Sequence, residues 1–165
     1  MYQVGDKVVY PHHGAGTVVK KEEREESEGP REYLTIQILH NDMTVMIPSD
    51  SADRAGLRRV IGEGAVEEVL AVLQGDGTKM PKNWNRRFKH NRDKMKTGDI
   101  FELAEVVRNL SLRDQEKGLS TGEKQMFVKA KKILASELMY AKGMDEDEAA
   151  VWLDEVLVGA KTAVA

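Results

Sequence analysis

The chain has 165 residues, of which 32% are charged and 41% hydrophobic, and its formal net charge is −3 at pH 7. This balance is that of a soluble globular protein with one domain or two small ones. No run approaches the roughly 18 apolar residues of a membrane helix, and the N-terminus MYQVGDKVVY does not look like a signal peptide, so we expect a cytoplasmic protein. The chain has no cysteine, which excludes disulfides, thiolate metal sites and a cysteine nucleophile.

The first 50 or so residues have the pattern of short strands separated by turns. Runs rich in Val, Thr, Ile and Tyr, among them KVVY, GTVVKKEER, EYLTIQIL and TVMIP, are separated by segments such as PHHGAG and EESEGPRE. Leu34, Ile36 and Ile38 alternate with more polar neighbours, as in a half-buried strand. Four or five such strands predict a small β-barrel. Gly14 and Gly16 are expected where the backbone needs a positive φ or a close approach.

After residue 60 the apolar residues follow a helical period. GAVEEVLAVLQG predicts a helix that ends at Gly75, and Asp99 is the expected N-cap of the helix in DIFELAEVVRNLSLRDQEKG. Ser120 and Glu123 have the spacing of a capping box, and DEDEAAVWLDEVLVGA carries acids in its first turn. With the segment 79–96 this makes about five helices. We predict an α+β protein, with a barrel at residues 1–52, a linker at 53–60 and a compact five-helix domain at 61–165.

No motif points to catalysis or to a metal. His12 and His13 are adjacent, but neighbouring side chains point in different directions and no third ligand stands at a useful spacing. The glycine turns GAG and GDG do not continue into a phosphate-binding signature, and there is no G-x-S-x-G elbow. We therefore expect neither an enzyme nor a cofactor nor a metal site.

The segment KMPKNWNRRFKHNRDKMK, residues 79–96, is strongly basic. It holds eight Lys or Arg and one acid, for a formal charge of 8 − 1 = +7, so the rest of the chain sums to −10. If the segment is a helix, Trp84, Phe88, Asn91 and Met95 share one stripe. An aromatic stripe at helical spacing is usually core, so in one interpretation the two aromatic residues are buried and the cations form a solvated face.

A second interpretation makes the same segment a nucleic-acid interface. Like charges crowded on one helix repel each other unless a polyanion neutralises them. Trp84 follows Pro81 closely, so its side chain could project past the start of the helix. Cations would then hold phosphates while the ring stacks on a base or wedges beside a base step. The pattern of residues alone leaves both interpretations open.

Three blocks of the sequence resemble the CarD/CdnL family of bacterial transcription regulators. They are VGDKVVYPHHGAGTV, NWNRRFKHN and LSLRDQEKGLSTGEKQMFVKAKKILASEL, and the similarity runs in order over residues 2–158. The resemblance implies that the N-terminal part is a Tudor-like or SH3-like barrel that binds the β subunit of RNA polymerase, a module also found in the transcription-repair coupling factor. It implies that the helical part contacts promoter double-stranded DNA at the upstream edge of the transcription bubble.

The resemblance also assigns residues. The family's tryptophan, which wedges into the minor groove, matches Trp84, and the basic residues after it match Arg86, Arg87 and Lys89. On the polymerase side a family arginine matches Arg24. A second family position, often arginine, is Met46 here, a departure that weakens one inferred polymerase contact.

Together these implications predict a regulator that stabilises the open promoter complex. It would act as a monomer in the cytoplasm, associated with the nucleoid, without a cofactor. The alternative is a protein-interaction adaptor without direct DNA contact, in which the basic helix would grip an acidic protein surface and Trp84 would be core.

Overall fold

The computed structural model describes residues 1–11, 13–39 and 42–164, with side chains described as far as residue 158. An antiparallel five-stranded sheet is followed by five α-helices, which confirms the α+β class. His12 lies outside the described residues. No helix in the described part of the chain is long and apolar enough to cross a membrane.

The N-terminal sheet has the strand order β4-β3-β2-β1-β5, so β4 and β5 form its two edges. Its strands are β1 (Lys7–Tyr10), β2 (Gly14–Glu26), β3 (Gly29–Ile38), β4 (Thr44–Pro48) and β5 (Arg58–Arg59). The register between β2 and β3 shifts between Val18 and Lys20. One face of the sheet carries the apolar residues predicted from alternation, and its buried core consists of Val8, Val18, Leu34, Ile36, Ile38, Ile47, Ala52 and Leu57.

The two glycines of the first turn have the properties expected of them. Gly14 has a φ of 95°, in the left-handed region that favours glycine. A Cβ on Gly16 would lie 2.4 Å from the carbonyl oxygen of Gln37 on β3, too close for any side chain. Both glycines are therefore needed for β2 to begin its pairing with β1 and β3.

Part of the segment 53–60, where a linker is expected from the sequence, joins the sheet. Leu57 is only 4% exposed and belongs to the apolar core. Arg58 and Arg59 form β5, which pairs antiparallel with β1 through Val9 and Val8. Because this short strand covers the free edge of β1 and Leu57 seals the core beneath it, this part of the segment packs against the sheet.

The C-terminal part has five helices, and several of their ends lie at the signals read from the sequence. They are α1 (Glu63–Gln74), α2 (Trp84–Lys96), α3 (Ile100–Glu116), α4 (Thr121–Lys142) and α5 (Glu146–Val164). Gly75 follows the end of α1, and the Asp99 carboxylate accepts the Phe101 N–H at the start of α3. The capping box between Ser120 and Glu123 is present at the start of α4.

The sheet docks on α4 through the face opposite its apolar core. The Ala15 N–H donates to Ser136 Oγ at 2.9 Å, and the Thr17 hydroxyl and the Tyr140 hydroxyl are 2.7 Å apart. Ala15 and Thr17 lie near the start of β2, while Ser136 and Tyr140 are one turn apart on α4. These contacts cover one end of that face and leave the far end, toward the β2–β3 turn, exposed.

A buried carboxylate reinforces the same junction. Arg58 of β5 donates two hydrogen bonds to Glu137 of α4, at 2.7 and 2.6 Å, and a third to the carbonyl oxygen of Gly98 at 2.7 Å. The Ile61 N–H also donates to Glu137, at 2.9 Å. Glu137 is only 1% exposed. The Glu137 carboxylate therefore binds the end of the sheet and the entry to α1, and Arg58 extends the same network to the turn before α3.

Candidate nucleic-acid interface

The basic segment forms α2, and local capping sets its first residue. Asn83 is the N-cap: its side-chain oxygen accepts the N–H groups of Asn85 at 2.9 Å and Arg86 at 3.3 Å. Asparagine is among the preferred N-cap residues because it satisfies N–H groups that have no partner within the helix. Trp84 is therefore the first helical residue, at the end of α2 nearest the preceding loop.

Trp84 is exposed over 53% of its surface, although it lies on the same helical stripe as Asn91 and Met95. Those two residues are 0% and 8% exposed: Met95 belongs to the helical core, and the Asn91 amide donates to the sulfur of Met80. The place of Trp84 in the first turn explains the difference, because the neighbouring helices that cover Asn91 and Met95 do not cover the end of α2. The interpretation in which Trp84 belongs to the core does not fit this exposure.

Of the eight cations of the segment, three are paired with acids that the structure describes and five are not. Lys94 and Lys89 are held by acids: Lys94 lies between Glu102 and Glu105, and Lys89 pairs with Asp93 one turn along α2. Arg87 is buried against α4. The remaining five are exposed and form no ion pair with any residue the structure describes: Lys79, Lys82, Arg86, Arg92 and Lys96.

Arg87, expected to hold DNA phosphate, is not on the surface. It is 3% exposed and donates to both oxygens of Glu123 on α4, at 2.6 and 2.8 Å. Its remaining Nη donates to the carbonyl oxygens of Pro81 and Lys82, at 3.3 and 2.9 Å. The paired guanidinium lowers the pKa of Glu123, and the same hydrogen bonds raise the pKa of Arg87. Because all three of its nitrogens are occupied, Arg87 is not available to bind DNA.

Sequence reasoning missed this role because the partner of Arg87 lies 36 residues along the chain. One local signal was present, since Arg87, Asn91 and Met95 recur at i, i+4, i+8, the spacing of an inward face. The other basic positions keep the exposure expected of them: Arg86 and Lys89 lie on the outward side of α2.

The start of α4 brings one further cation to this region. A Cβ on Gly122 would lie 3.6 Å from the Phe88 ring of α2, so the first turn of α4 packs on α2. Lys124, two residues on from Gly122, is exposed. Lys124 could not be assigned to this region from the sequence, because nothing local to it indicates that α2 is its neighbour.

The two positions assigned to polymerase lie on one face of the sheet. On β2, Arg24 pairs with Arg31 of β3. Across the sheet, Met46 of β4 pairs with Thr35 of β3, which in turn pairs with Lys20 of β2. The Arg24 side chain is 55% exposed, forms an ion pair with Glu22 and lies 5.8 Å from the centroid of the Tyr33 ring.

Arg24 and Met46 are not in contact. Arg24 is four residues along β2 from the position aligned with Met46, and two strand spacings across, which gives a separation of roughly 16 Å. Met46, 40% exposed, lies on the edge strand β4. The face between them holds Tyr33 and ends at an open strand edge.

No group of three His, Cys, Asp or Glu side chains within the described ranges is arranged to hold a metal ion. Carboxylates on and near α2 and α4 are paired with cations: Glu123 with Arg87, Glu102 and Glu105 with Lys94, Asp93 with Lys89, and Glu137 with Arg58. The chemistry available at this surface is therefore that of binding: exposed cations, one exposed indole ring and helix-end polar groups.

Comparison with known protein families matches both parts of the chain. Residues 2–61 match the family described as CarD-like/TRCF RID domain, and residues 68–154 match the family described as CarD, C-terminal domain. The chain is 39% identical over 148 residues to the putative transcription factor YdeB of Bacillus subtilis strain 168, covering 90% of this chain and 97% of that protein. The solution NMR structure of the 72-residue N-terminal domain of Myxococcus xanthus CarD is also similar, at 27% identity and a TM-score of 0.31, over 36% of this chain and 79% of its own.

Proposed function

The chain belongs to the CarD family of transcription factors, which are non-enzymatic regulators that interact with RNA polymerase, and on this premise we propose how it acts. The sheet binds the β subunit of RNA polymerase, and α2 binds promoter DNA at the upstream edge of the transcription bubble. The result is a longer-lived open complex. The observation that carries the proposal is the exposure of Trp84, 53%, at the start of a helix on which Arg86, Arg92 and Lys96 are exposed and form no ion pair with a described residue.

The DNA side of the proposal rests on charge and on the position of the ring. Exposed lysine and arginine side chains bind phosphates and release counterions, a contribution that carries little sequence information. Arg86 and Lys89 are on the outward side of α2, and Trp84 is at its tip. An apolar ring beside a base step can occupy the minor groove where the duplex is already distorted. Such a ring would oppose re-annealing at the bubble edge.

The polymerase side rests on the exposed end of the sheet. Strand β4 is an edge, and an edge strand can pair with a strand of another protein through its free backbone groups. Arg24 supplies a cation on the same face. Because Met46 provides no charge on β4, affinity for polymerase would depend on backbone pairing and on Arg24.

Because the sheet and the helices are docked on each other, binding of the sheet to polymerase would assist binding of α2 to DNA. Glu137 and Ser136 of α4 bind the sheet directly, so a sheet bound to polymerase holds α2 at a set position. Tethering raises the effective concentration of α2 at the DNA, so weak intrinsic affinity for DNA is sufficient. The protein would act in the cytoplasm, on nucleoid DNA, at many promoters.

The effect on transcription follows from differential binding. A ligand shifts the balance between closed and open complexes only by its difference in affinity for the two. A preference of about 1.4 kcal/mol for the open complex would change the ratio about tenfold. Trp84 supplies that preference in this proposal, because a distorted step with room for a ring exists only in the open complex.

The experiment is a competitor challenge of preformed open complexes made with RNA polymerase of the same organism. The fraction of complexes that survives is followed with and without the protein. A longer lifetime in its presence supports the proposal. An unchanged lifetime, together with normal binding to polymerase, would contradict it and favour the adaptor without DNA contact.

A further inference from the structure

We propose that Arg87 is a positioning residue for Trp84: it clamps the loop 75–83 and the start of α2 onto α4 without touching DNA. The inference rests on the proposed function, since it assigns the geometry of the DNA-binding ring to a neighbour that lies beneath the surface. It also separates two adjacent arginines, because Arg86 is exposed and Arg87 is buried.

The guanidinium of Arg87 connects three parts of the helical domain. Nε and Nη2 bind the two oxygens of Glu123 side by side, and Nη1 binds the carbonyl oxygens of Pro81 and Lys82. Lys82 is only two residues before Trp84. A planar fork with fixed donors holds all these acceptors at once, which an ammonium group cannot do. The turn that precedes the ring is thus fixed to α4.

Glu123 is a rigid anchor for this clamp. It is 0% exposed, and its Oε1 also accepts from the Ser120 hydroxyl at 2.9 Å and from the Ser120 N–H at 3.3 Å. The Ser120 hydroxyl in turn accepts the Glu123 N–H. The carboxylate is therefore set by the first turn of α4 itself. Any shift of Arg87 away from it would leave a buried charge without its partner, which is strongly unfavourable.

The far end of the loop is held separately. The Thr78 N–H donates to Asn109 Oδ1 at 3.1 Å, and the Thr78 hydroxyl donates to Glu105 at 2.7 Å. Both partners belong to α3. The loop is thus tied to α3 through Thr78 and to α4 through Arg87. An exposed ring whose supporting backbone is fixed in advance loses less conformational entropy on binding.

Two adjacent arginines provide a matched test. Arg87→Lys keeps the charge but loses the fork, whereas Arg86→Lys makes the same change on the surface. The readout is the protein concentration that gives half-maximal extension of open-complex lifetime. We expect this concentration to rise at least tenfold in Arg87→Lys but only about two- to threefold in Arg86→Lys, which keeps its charge at the phosphate and loses the bidentate hydrogen bonds. Equal behaviour of the two variants would overturn the proposal, because a lysine serves nearly as well as an arginine at a phosphate.

Glu123→Gln separates positioning from direct contact by the sign of its effect. If Arg87 bound phosphate, removing its competing carboxylate would free it and strengthen DNA binding. If Arg87 positions Trp84, the same change weakens the clamp, so more protein is required. Gln keeps one acceptor oxygen in place, which makes this the milder variant. It decides the question if circular dichroism shows that Arg87→Lys is unfolded at the assay temperature.

The position of the ring can be followed without DNA. In protein labelled with 5-fluorotryptophan, the ¹⁹F spectrum has one resonance from Trp84 and one from Trp152, a half-buried residue of α5 that serves as the internal reference. We expect Arg87→Lys and Glu123→Gln to shift or broaden the Trp84 resonance alone, and Arg86→Lys to change neither. An unchanged Trp84 resonance in both clamp variants would refute the positioning role.

A double-mutant comparison keeps this inference distinct from the proposed function. If Arg87 acts through Trp84, then Arg87→Lys adds little to the effect of Trp84→Ala. Effects that multiply would show that Arg87 acts independently of the ring, which refutes the inference and leaves the function in place. If Trp84→Ala alone has no effect on lifetime, the DNA-binding role of the ring fails instead, and with it the purpose of the clamp.

Discussion

Replacing Trp84 with alanine should shorten the open complex with little loss of folding stability. A tryptophan side chain has up to roughly 250 Å² to bury. Since Trp84 is 53% exposed, roughly 130 Å² is left for DNA to cover. At about 25 cal/mol per Å² this area corresponds to an upper value of about 3 kcal/mol. Stacking of a base on an aromatic residue is worth about 1–3 kcal/mol by alanine substitution, so we expect a lifetime shorter by about 5- to 150-fold at saturating protein.

Folding should suffer less than it would from truncation of a core tryptophan. Removal of a fully buried tryptophan costs about 3–5 kcal/mol, so a residue about half exposed should cost roughly half as much. The assay is the competitor challenge of open complexes with wild-type and variant protein, alongside urea denaturation of both proteins.

The control is the other tryptophan. Trp152 packs against the core of the helical domain and lies under Lys142. Trp152→Ala should lower the free energy of unfolding without shortening the lifetime at a temperature where the variant is folded. The reasoning would be refuted if Trp84→Ala lost several kcal/mol of stability while the lifetime followed only the fraction folded. Trp84 would then act as a core residue.

Four further changes test other contacts. Glu137→Ala should lower the free energy of unfolding by about 3 kcal/mol, measured with urea, because it leaves Arg58 unpaired; the Arg58 side chain is 28% exposed, so we expect the low end of the range for a buried pair. Glu123→Gln should make the free energy of unfolding depend less on pH in acid. The paired arginine lowers the folded pKa of Glu123 below its ordinary 4.5, so the ionised carboxylate stabilises the fold above pH 4.5, and this stabilisation is lost as the pH falls through the folded pKa. Denaturation from pH 2 to pH 7 measures this difference. Arg86→Ala should reduce the slope of log affinity for DNA against log salt by about 0.9, measured by fluorescence anisotropy. Arg24→Ala should slow association with the polymerase β subunit, most strongly at low salt, as surface plasmon resonance would detect.

Exposed residues away from these contacts serve as controls. Glu155→Ala should leave the urea transition unchanged. Arg54→Ala should retain the wild-type salt slope for DNA, and Lys117→Ala the wild-type association rate with polymerase. If Arg54→Ala changed the salt slope as much as Arg86→Ala, net charge rather than α2 would be responsible for binding. A stable Glu137→Ala variant would mean that the junction between sheet and helices depends on other contacts.

Features determined by nearby residues could be predicted from the sequence. The Asp99 cap, the Ser120–Glu123 capping box and the end of α1 at Gly75 each depend on residues within one turn. The need for Gly14 and Gly16 was also predicted from their turn. These local requirements hold in almost any tertiary setting, so these particular helix ends could be predicted from them.

The errors concern contacts between distant parts of the chain. Two residues, Arg58 and Arg59, are too few to show a strand pattern, and only the free edge of β1 makes them one. Arg87 was grouped with its basic neighbours because its charge was the visible signal. Its burial depends on Glu123, which the fold alone brings to α2.

The exposure of Trp84 is an intermediate case. The helical stripe placed it with Asn91 and Met95, which are buried, while its position in the first turn suggested that it could project beyond the helix. The sequence could not decide between these possibilities, because the answer depends on how far α3 and α4 extend past the start of α2.

The most direct test of the central claim is to place a photo-crosslinking amino acid, p-benzoylphenylalanine, at position 84 and irradiate open complexes formed with polymerase on a promoter. The account predicts crosslinks to DNA within a few base pairs of the upstream edge of the bubble, and their loss when the same promoter is held closed. Crosslinks to polymerase subunits alone, or crosslinks spread evenly along the duplex in both states, would contradict it.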